Sequence, residues 1–239
     1  MASTGRRILH ILFPKKSTAD GPSSTGRTQT ASTGDNEIEA CQVVEPAGED
    51  DKSMSNGNDQ PGNENQDNGD NKSDVPTILF AMQARLKEAT IQERGCKALC
   101  QLAALTASGC DEIIEGNGVE RICEAMAAHP TNSNVQYYGC GALRNLAINS
   151  HSKAAMVAKE RIGKVGGLKA VCQAMNRNIQ DPDVQWSGCQ ALYNLTCDND
   201  ANKKRAVTAG ATDIIRTAMM THPADAKVQK TASTALRVL

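Results

Sequence analysis

The chain has 239 residues, with 26 Lys plus Arg against 27 Asp plus Glu, so its formal net charge is −1. A balance this close to zero gives no whole-chain argument for nucleic acid or an anionic membrane surface as the main partner. No window reaches the roughly 18 consecutive apolar residues of a membrane-spanning helix. Aromatics make up 3 % of residues, which argues against an aromatic-filled β-sandwich and suits a helical core of Ala, Leu, Val, Ile and Cys.

The average conceals two unlike parts. Residues 1–74 carry a net charge of −6 and residues 75–239 a net of +5. The first sixteen residues, MASTGRRILHILFPKK, are basic, with a short apolar cluster from Ile8 to Phe13 interrupted by His10. That cluster falls short of a secretory h-region, and Ala2 replaces the glycine that myristoylation needs. An organelle transit peptide, a short docking motif and an unstructured start all remain open. From Ser53 to Asp74 the only apolar side chain is one Met. Such a segment buries too little to offset the roughly 1–2 kcal/mol per residue lost on ordering the backbone. Residues 17–74 are therefore expected to form a disordered acidic arm.

Helical periodicity starts at Val75. Pro76, Ile78, Leu79, Met82 and Leu86 outline an apolar face, with Pro76 suited to a first helical turn. Beyond it the chain repeats itself. IQERGCKALCQLA from Ile91, VQYYGCGALRNLA from Val135, VQWSGCQALYNLT from Val184 and VQKTASTALRVL from Val228 superpose, with starts 44, 49 and 44 residues apart. In the third copy Val184, Gly188, Ala191, Leu192 and Leu195 lie on one face of a 3.6-residue helix. A second echo precedes each of the later copies, at Gly116, Val165 and Ala209. Pro130, Pro182 and Pro223 punctuate the link between the two. A short helix over Asn199–Thr208 completes the unit: short, medium, long. The five extra residues of the middle copy, near Lys159–Gly163, are expected in a surface turn.

This period, helix order and the final-helix motif V-Q-x-x-(G/A)-C-x-A-L-x-N-L resemble armadillo repeats across roughly Val75 to Leu239. The expected fold is all-α: an armadillo-type α-solenoid of about three and a half units, over approximately 75–108, 109–150, 151–198 and 199–239, behind the arm. HEAT repeats usually lack the separate short helix. The last unit stops in its long helix, so Leu236, Val238 and Leu239 are expected to have no further repeat above them.

The resemblance implies a non-catalytic protein-binding scaffold or adaptor whose long helices line a concave groove. Asn at the eleventh position of the long helix typically bonds the backbone of an extended peptide there. Asn145 and Asn194 match that position, Gln101 is a longer substitute and Val238 departs from it. Nuclear import receptors of the family carry Trp four residues earlier, where this chain has Lys97, Gly141, Gln190 and Thr234; the groove is not expected to read localisation signals in that way. Tyr137 and Trp186 share the third position, Arg144 and Tyr193 the tenth, and such residues are enriched at binding hot spots. The competing reading is that these side chains shield inter-repeat surface. Two alternatives to groove binding stand: docking of a further subunit or a second copy at the Leu236–Leu239 edge, and masking of the groove by the acidic arm.

Nothing supports catalysis, a metal or a cofactor. The nine Cys include no CxxC pair, and without a secretory signal they point to a reducing, cytoplasmic compartment. Cys96, Cys140 and Cys189 recur at one position, as core residues do, about 10 Å apart in a helical stack and too far for one Zn²⁺. Asp198-Asn199-Asp200 opens like a calcium loop, but Lys203 and Ala209 stand where Gly and Glu are required. His129 and His222 precede Pro at equivalent points, a turn signature. Lys203, Lys204 and Arg205 form the densest basic cluster, too mild a signal for nucleic acid.

Overall fold

The computed structural model describes residues 75–148 and 153–239. The readings made of the arm and of the first sixteen residues lie outside them. The described residues form helices with no strand. In chain order these are α1 (Val75–Ala84), α2 (Ala89–Leu105), α3 (Ala107–Glu115), α4 (Gly118–Ala128), α5 (Ser133–Ala147), α6 (Lys153–Lys164), α7 (Gly167–Arg177), α8 (Pro182–Thr196), α9 (Asp200–Thr208), α10 (Ala211–Thr221) and α11 (Ala226–Val238). The long helices α2, α5, α8 and α11 stack in a row, as do the medium helices α1, α4, α7 and α10. Contact is most extensive along the long-helix row, which is therefore the tighter side of the stack.

Local chemistry sets the boundaries. Asn132, Asp181 and Asp225 each accept an amide hydrogen from the first turn of the long helix that follows. Their carboxylate or amide oxygens thus satisfy donors that the helix leaves orphaned. Pro182 is the first residue of α8 rather than part of the link, where its missing N–H costs nothing. Asn117, Gly166 and Gly210 occupy the left-handed region just before the medium helices, at φ of 63°, 86° and 82°. A glycine or an asparagine meets that demand at low cost.

Lys159–Gly163 is not a surface turn. It continues α6, with Lys159 buried and its Nζ donating to the Cys197 carbonyl at 3.0 Å. The run AAMVAKER contains only residues that tolerate helix and no breaker, so the extra residues extend the helix to 12. In this unit the first helix is accordingly longer than the 11-residue medium one.

The long helix is fastened to the medium helix by the glutamine at its fourth residue. Gln92, Gln136, Gln185 and Gln229 each donate through Nε2 to the carbonyl of the third-last residue of the medium helix, that of Met82, Met126, Met175 or Met219, at 2.8–2.9 Å. The same nitrogen also donates to the carbonyl just past that end, on Arg85, His129, Asn178 or His222. Each glutamine is thus a C-cap supplied by the next helix, answering carbonyls that have no intrahelical donor.

Three further bonds join neighbouring units along the stack: His129 Nε2 to Leu86 O at 2.7 Å, Asn178 Nδ2 to Pro130 O at 3.0 Å and His222 Nε2 to Ile179 O at 2.7 Å. The recurrent His-Pro turn is therefore also the inter-repeat stitch.

Cys96, Cys140 and Cys189 are fully buried in the core, as their recurrence suggested. At the preceding position Gly95, Gly139 and Gly188 let medium and long helices approach. A Cβ on Gly188 would come within 2.7 Å of Met175 Sδ, with the stiffer Cγ closer still. The fourth unit has Ala232 there, and its Met219 is only half-buried. Gly188→Ala is expected to lower stability by about 1–2 kcal/mol, because overpacking of about 1–3 kcal/mol outweighs the roughly 1 kcal/mol gain in helix propensity. The urea midpoint measures it.

Candidate functional site

The residues singled out in the sequence converge on the long-helix row, but in two different states. Lys97 and Gln101 on α2 are exposed, and Tyr137 on α5 and Tyr193 on α8 are half-buried. Arg144, Asn145, Trp186, Gln190 and Asn194 are buried, between 5 and 8 % exposed.

Burial of those polar side chains is explained by one connected network. Asn145 Nδ2 donates to the Cys100 carbonyl of α2 at 2.8 Å, and Asn145 Oδ1 accepts from Arg144 Nε at 2.9 Å. Arg144 Nη1 donates to Gln190 Oε1 on α8. Asn194 Nδ2 turns back to the Gln190 carbonyl of its own helix at 3.0 Å. The amide of Asn145 is thus engaged at both ends, bridging α2 and α5. A peptide backbone would reach it only by exchanging with Arg144 or Cys100. The sequence motif located these side chains; it carried no information about their partners on adjacent repeats, which lie 45 and 46 residues away.

Arg144 is the unusual member. It is buried, yet none of the ion pairs among the described residues includes it. Its hydrogen bonds go to neutral amides, and burial lowers its pKa from the usual guanidinium range. A desolvated cation with no carboxylate partner is costly, so a ligand bringing an acidic group gains at this point.

Beside the network runs an aromatic row. The Tyr137 and Trp186 rings stack at 6.3 Å between centroids, and Tyr138 meets Tyr137 edge-on at 5.0 Å. Lys97 Nζ lies 5.7 Å from the Tyr138 ring and Lys227 Nζ 6.0 Å from the Trp186 ring. These contacts are cation–π in range. The row spans all four long helices, and two of its members carry no motif signal: Tyr138 occupies a variable position of the motif and Lys227 lies just before it. Ser187 adds a bond from its hydroxyl to the Tyr137 carbonyl at 3.0 Å.

At the far edge Leu236, Val238 and Leu239 are half-buried, and Leu236 and Leu239 pack against the core. Among the described residues no group of three or more His, Cys, Asp or Glu side chains is placed to hold a metal ion. No described helix is long and apolar enough to cross a membrane.

Against this geometry, the profile describing the LRRK2 ARM repeat matches residues 68–239. Two engineered proteins solved as crystal structures by the Northeast Structural Genomics Consortium are similar in structure. One has a TM-score of 0.57 at 24 % identity, over 69 % of this chain and 61 % of that one. The chain thus spans less than two thirds of that engineered protein, and the likeness speaks for the repeat fold alone. The other covers 69 % of this chain and 80 % of its own at 20 % identity, with a TM-score of 0.39. No curated protein matches the chain.

Proposed function

Because the chain belongs to the LRRK2-type ARM-repeat family, we propose that it is a non-catalytic interaction module that binds an extended segment of a partner protein along its long-helix face. ARM-repeat solenoids serve generally as protein-interaction scaffolds. The observation that carries the finer reading is the row Lys97–Tyr138–Tyr137–Trp186–Lys227 lying beside the carboxylate-free Arg144.

Aromatic rings and a guanidinium on rigid helices are the side chains from which interface hot spots are made. They lose little conformational entropy when a ligand arrives, because packing already fixes them. An extended segment suits the site because successive long helices present equivalent positions at regular intervals, as an extended chain presents alternate side chains. The partner segment carries an acidic residue opposite Arg144 and apolar or aromatic residues along the Tyr137–Trp186 stack. Binding at Asn145 and Asn194 follows as an exchange: the incoming backbone takes over hydrogen bonds that now close on Arg144 and Gln190.

The test reverses the two exposed charges that bracket the row. Full-length protein carrying Lys97→Glu and Lys227→Glu should capture partners at least tenfold less well than the unaltered chain, with a melting temperature within a few degrees of it. The same partners retained in equal amount would exclude this face as the binding site.

A further inference from the structure

The opposite side of the stack holds a cavity of about 750 Å³ between the third and fourth units, lined on one side by α6 and α7 and on the other by α9 and α10. Its origin is legible from the interface one repeat earlier, where the same positions close on themselves. There Arg161 of α6 reaches back to the preceding unit. Its Nε donates to Glu120 Oε1 at 2.9 Å, its Nη2 to Asn117 Oδ1 at 2.5 Å and its Nη1 to the Ile114 carbonyl at 2.6 Å. Counted from the left-handed residue that precedes each medium helix, Arg205 is the equivalent of Arg161, Gly166 of Asn117 and Lys169 of Glu120. The arginine has been kept. Its carboxylate partner has become a lysine, and its amide partner has lost its side chain.

The consequence is a cavity whose charged lining residues are all cations. Arg205, Lys169 and Lys204 all line it, and no Asp or Glu does. Arg205 Nη1 settles for the Asn202 side-chain oxygen at 3.0 Å and lies over Gly163. Glu160, on the turn of α6 before Gly163, pairs with Lys164 at 2.6 Å and also feels the charge of Arg205, but it does not line the cavity. Lys169 and Lys204 make no ion pair with any described residue. The cavity also opens at Gly166, the residue before the amino end of the 11-residue α7, whose free amide groups add positive potential. Leu168 and Ile214 give it an apolar wall.

We propose that this cavity is a binding site for a small phosphorylated molecule, its phosphate lying where the missing carboxylate would stand, between Arg205, Lys169 and Lys204. A phosphate monoester carries about −1.5 to −2 charges and three acceptor oxygens, which matches three donors better than a single carboxylate does. The volume exceeds that of a bare phosphate ion and falls in the range of about 300–1,000 Å³ typical of small-molecule sites, so an organic body rests on the Leu168–Ile214 wall.

The probe is phenyl phosphate, titrated calorimetrically into the full-length chain, with inorganic phosphate and vesicles containing phosphatidic acid as parallel arms. Saturable binding of phenyl phosphate, tighter than that of inorganic phosphate, is expected. Lys169→Glu restores the residue type found one repeat earlier and should weaken phenyl phosphate binding at least thirtyfold while leaving the melting temperature unchanged or higher. Lys204→Gln, at an exposed position, should weaken it three- to tenfold and serves as a second variant that does not disturb the core. Adding Gly166→Asn to Lys169→Glu should close the site altogether. Absence of saturable binding at millimolar concentration, equal affinity in the Lys169→Glu protein, or binding to the vesicles alone would each overturn the proposal.

Discussion

Raising the pH from 8 to 10 is expected to unfold the solenoid. Burial pushes the thiols of Cys96, Cys123, Cys172 and Cys189 up to about 12, and that of Cys140 higher still. Neighbouring thiols or carboxylates reinforce the rise at Cys96, Cys123, Cys140 and Cys189. In the unfolded chain these thiols ionise at about 8.5–9. Between that value and the folded one, the unfolded state holds fewer protons than the native state. Stability therefore falls as pH rises through this window, and below pH 8 the thiols contribute no pH dependence. By pH 10 each such thiol costs about 1.4 kcal/mol. Several together consume the roughly 5–15 kcal/mol by which a domain is stable. The measurement is the urea midpoint, followed by helical circular dichroism, at successive pH values. Cys140→Ala should flatten the dependence, and an identical midpoint at pH 8 and 10 would refute the buried-thiol account. The same burial predicts that these cysteines alkylate at least about a thousandfold more slowly than an ordinary thiol at pH 8, because only the thiolate reacts.

The second large effect is that of the cap glutamines. Gln185→Leu keeps the volume of a fully buried side chain but strips the Met175 carbonyl of its donor, while the Asn178 carbonyl keeps the Asp181 backbone N–H at 3.0 Å. A buried acceptor left unpaired costs about 1–3 kcal/mol, so a loss of that size is expected. The Gln185 amide oxygen has no partner, as is also true of Gln92, so all of the benefit comes from the nitrogen. Exchanging the amide nitrogen and oxygen would set oxygen against the two carbonyl oxygens, which fixes the orientation. Gln229 makes the same pair of bonds but is only half-buried. Water can replace its donor, and Gln229→Leu should cost less than half as much. Thermal unfolding of the two variants side by side tests both values; equal losses would contradict the burial argument.

Both effects bear on what a repeat sequence reveals. The phase of the long helices and the burial of the Cys ladder were legible, because each depends on spacing within one unit. The V-Q pair was visible as part of the motif, but its purpose was not. The acceptors of Gln136 lie ten and seven residues back, on a helix whose end had to be placed before its orphan carbonyls could be counted. Contacts between units were further out of reach. Asn145 matches the position at which the family holds peptide, and only the superposition of α2 on α5 brings the Cys100 carbonyl against it. The extra residues at Lys159–Gly163 were misplaced for a simpler reason. Insertions usually fall in turns, whereas here a run of helix-forming residues absorbs the extra length by adding a turn to α6. The cavity on the opposite side was invisible in any single repeat. It emerges only when Lys169 is set against Glu120 and Gly166 against Asn117.

The two faces make separable demands on the same scaffold. Along the long helices, packing is tight, polar groups are already paired and the ring stack is fixed, conditions that favour a ligand able to exchange hydrogen bonds rather than one that merely adds them. On the medium-helix side, the Arg–Glu contact of the preceding interface has no counterpart, and the proposed phosphate would take its place without disturbing the other face.

Trp186 is the chain's one tryptophan and sits in the centre of the aromatic row, stacked on Tyr137 and beneath Lys227. The most direct test of groove binding is therefore its fluorescence, recorded while a captured partner segment free of tryptophan is titrated into the full-length chain. Binding along the long helices predicts a saturable change in Trp186 emission and loss of acrylamide quenching, both following the binding curve measured independently. Tight binding that leaves the emission and the quenching of Trp186 unaltered would place the partner elsewhere and contradict the account.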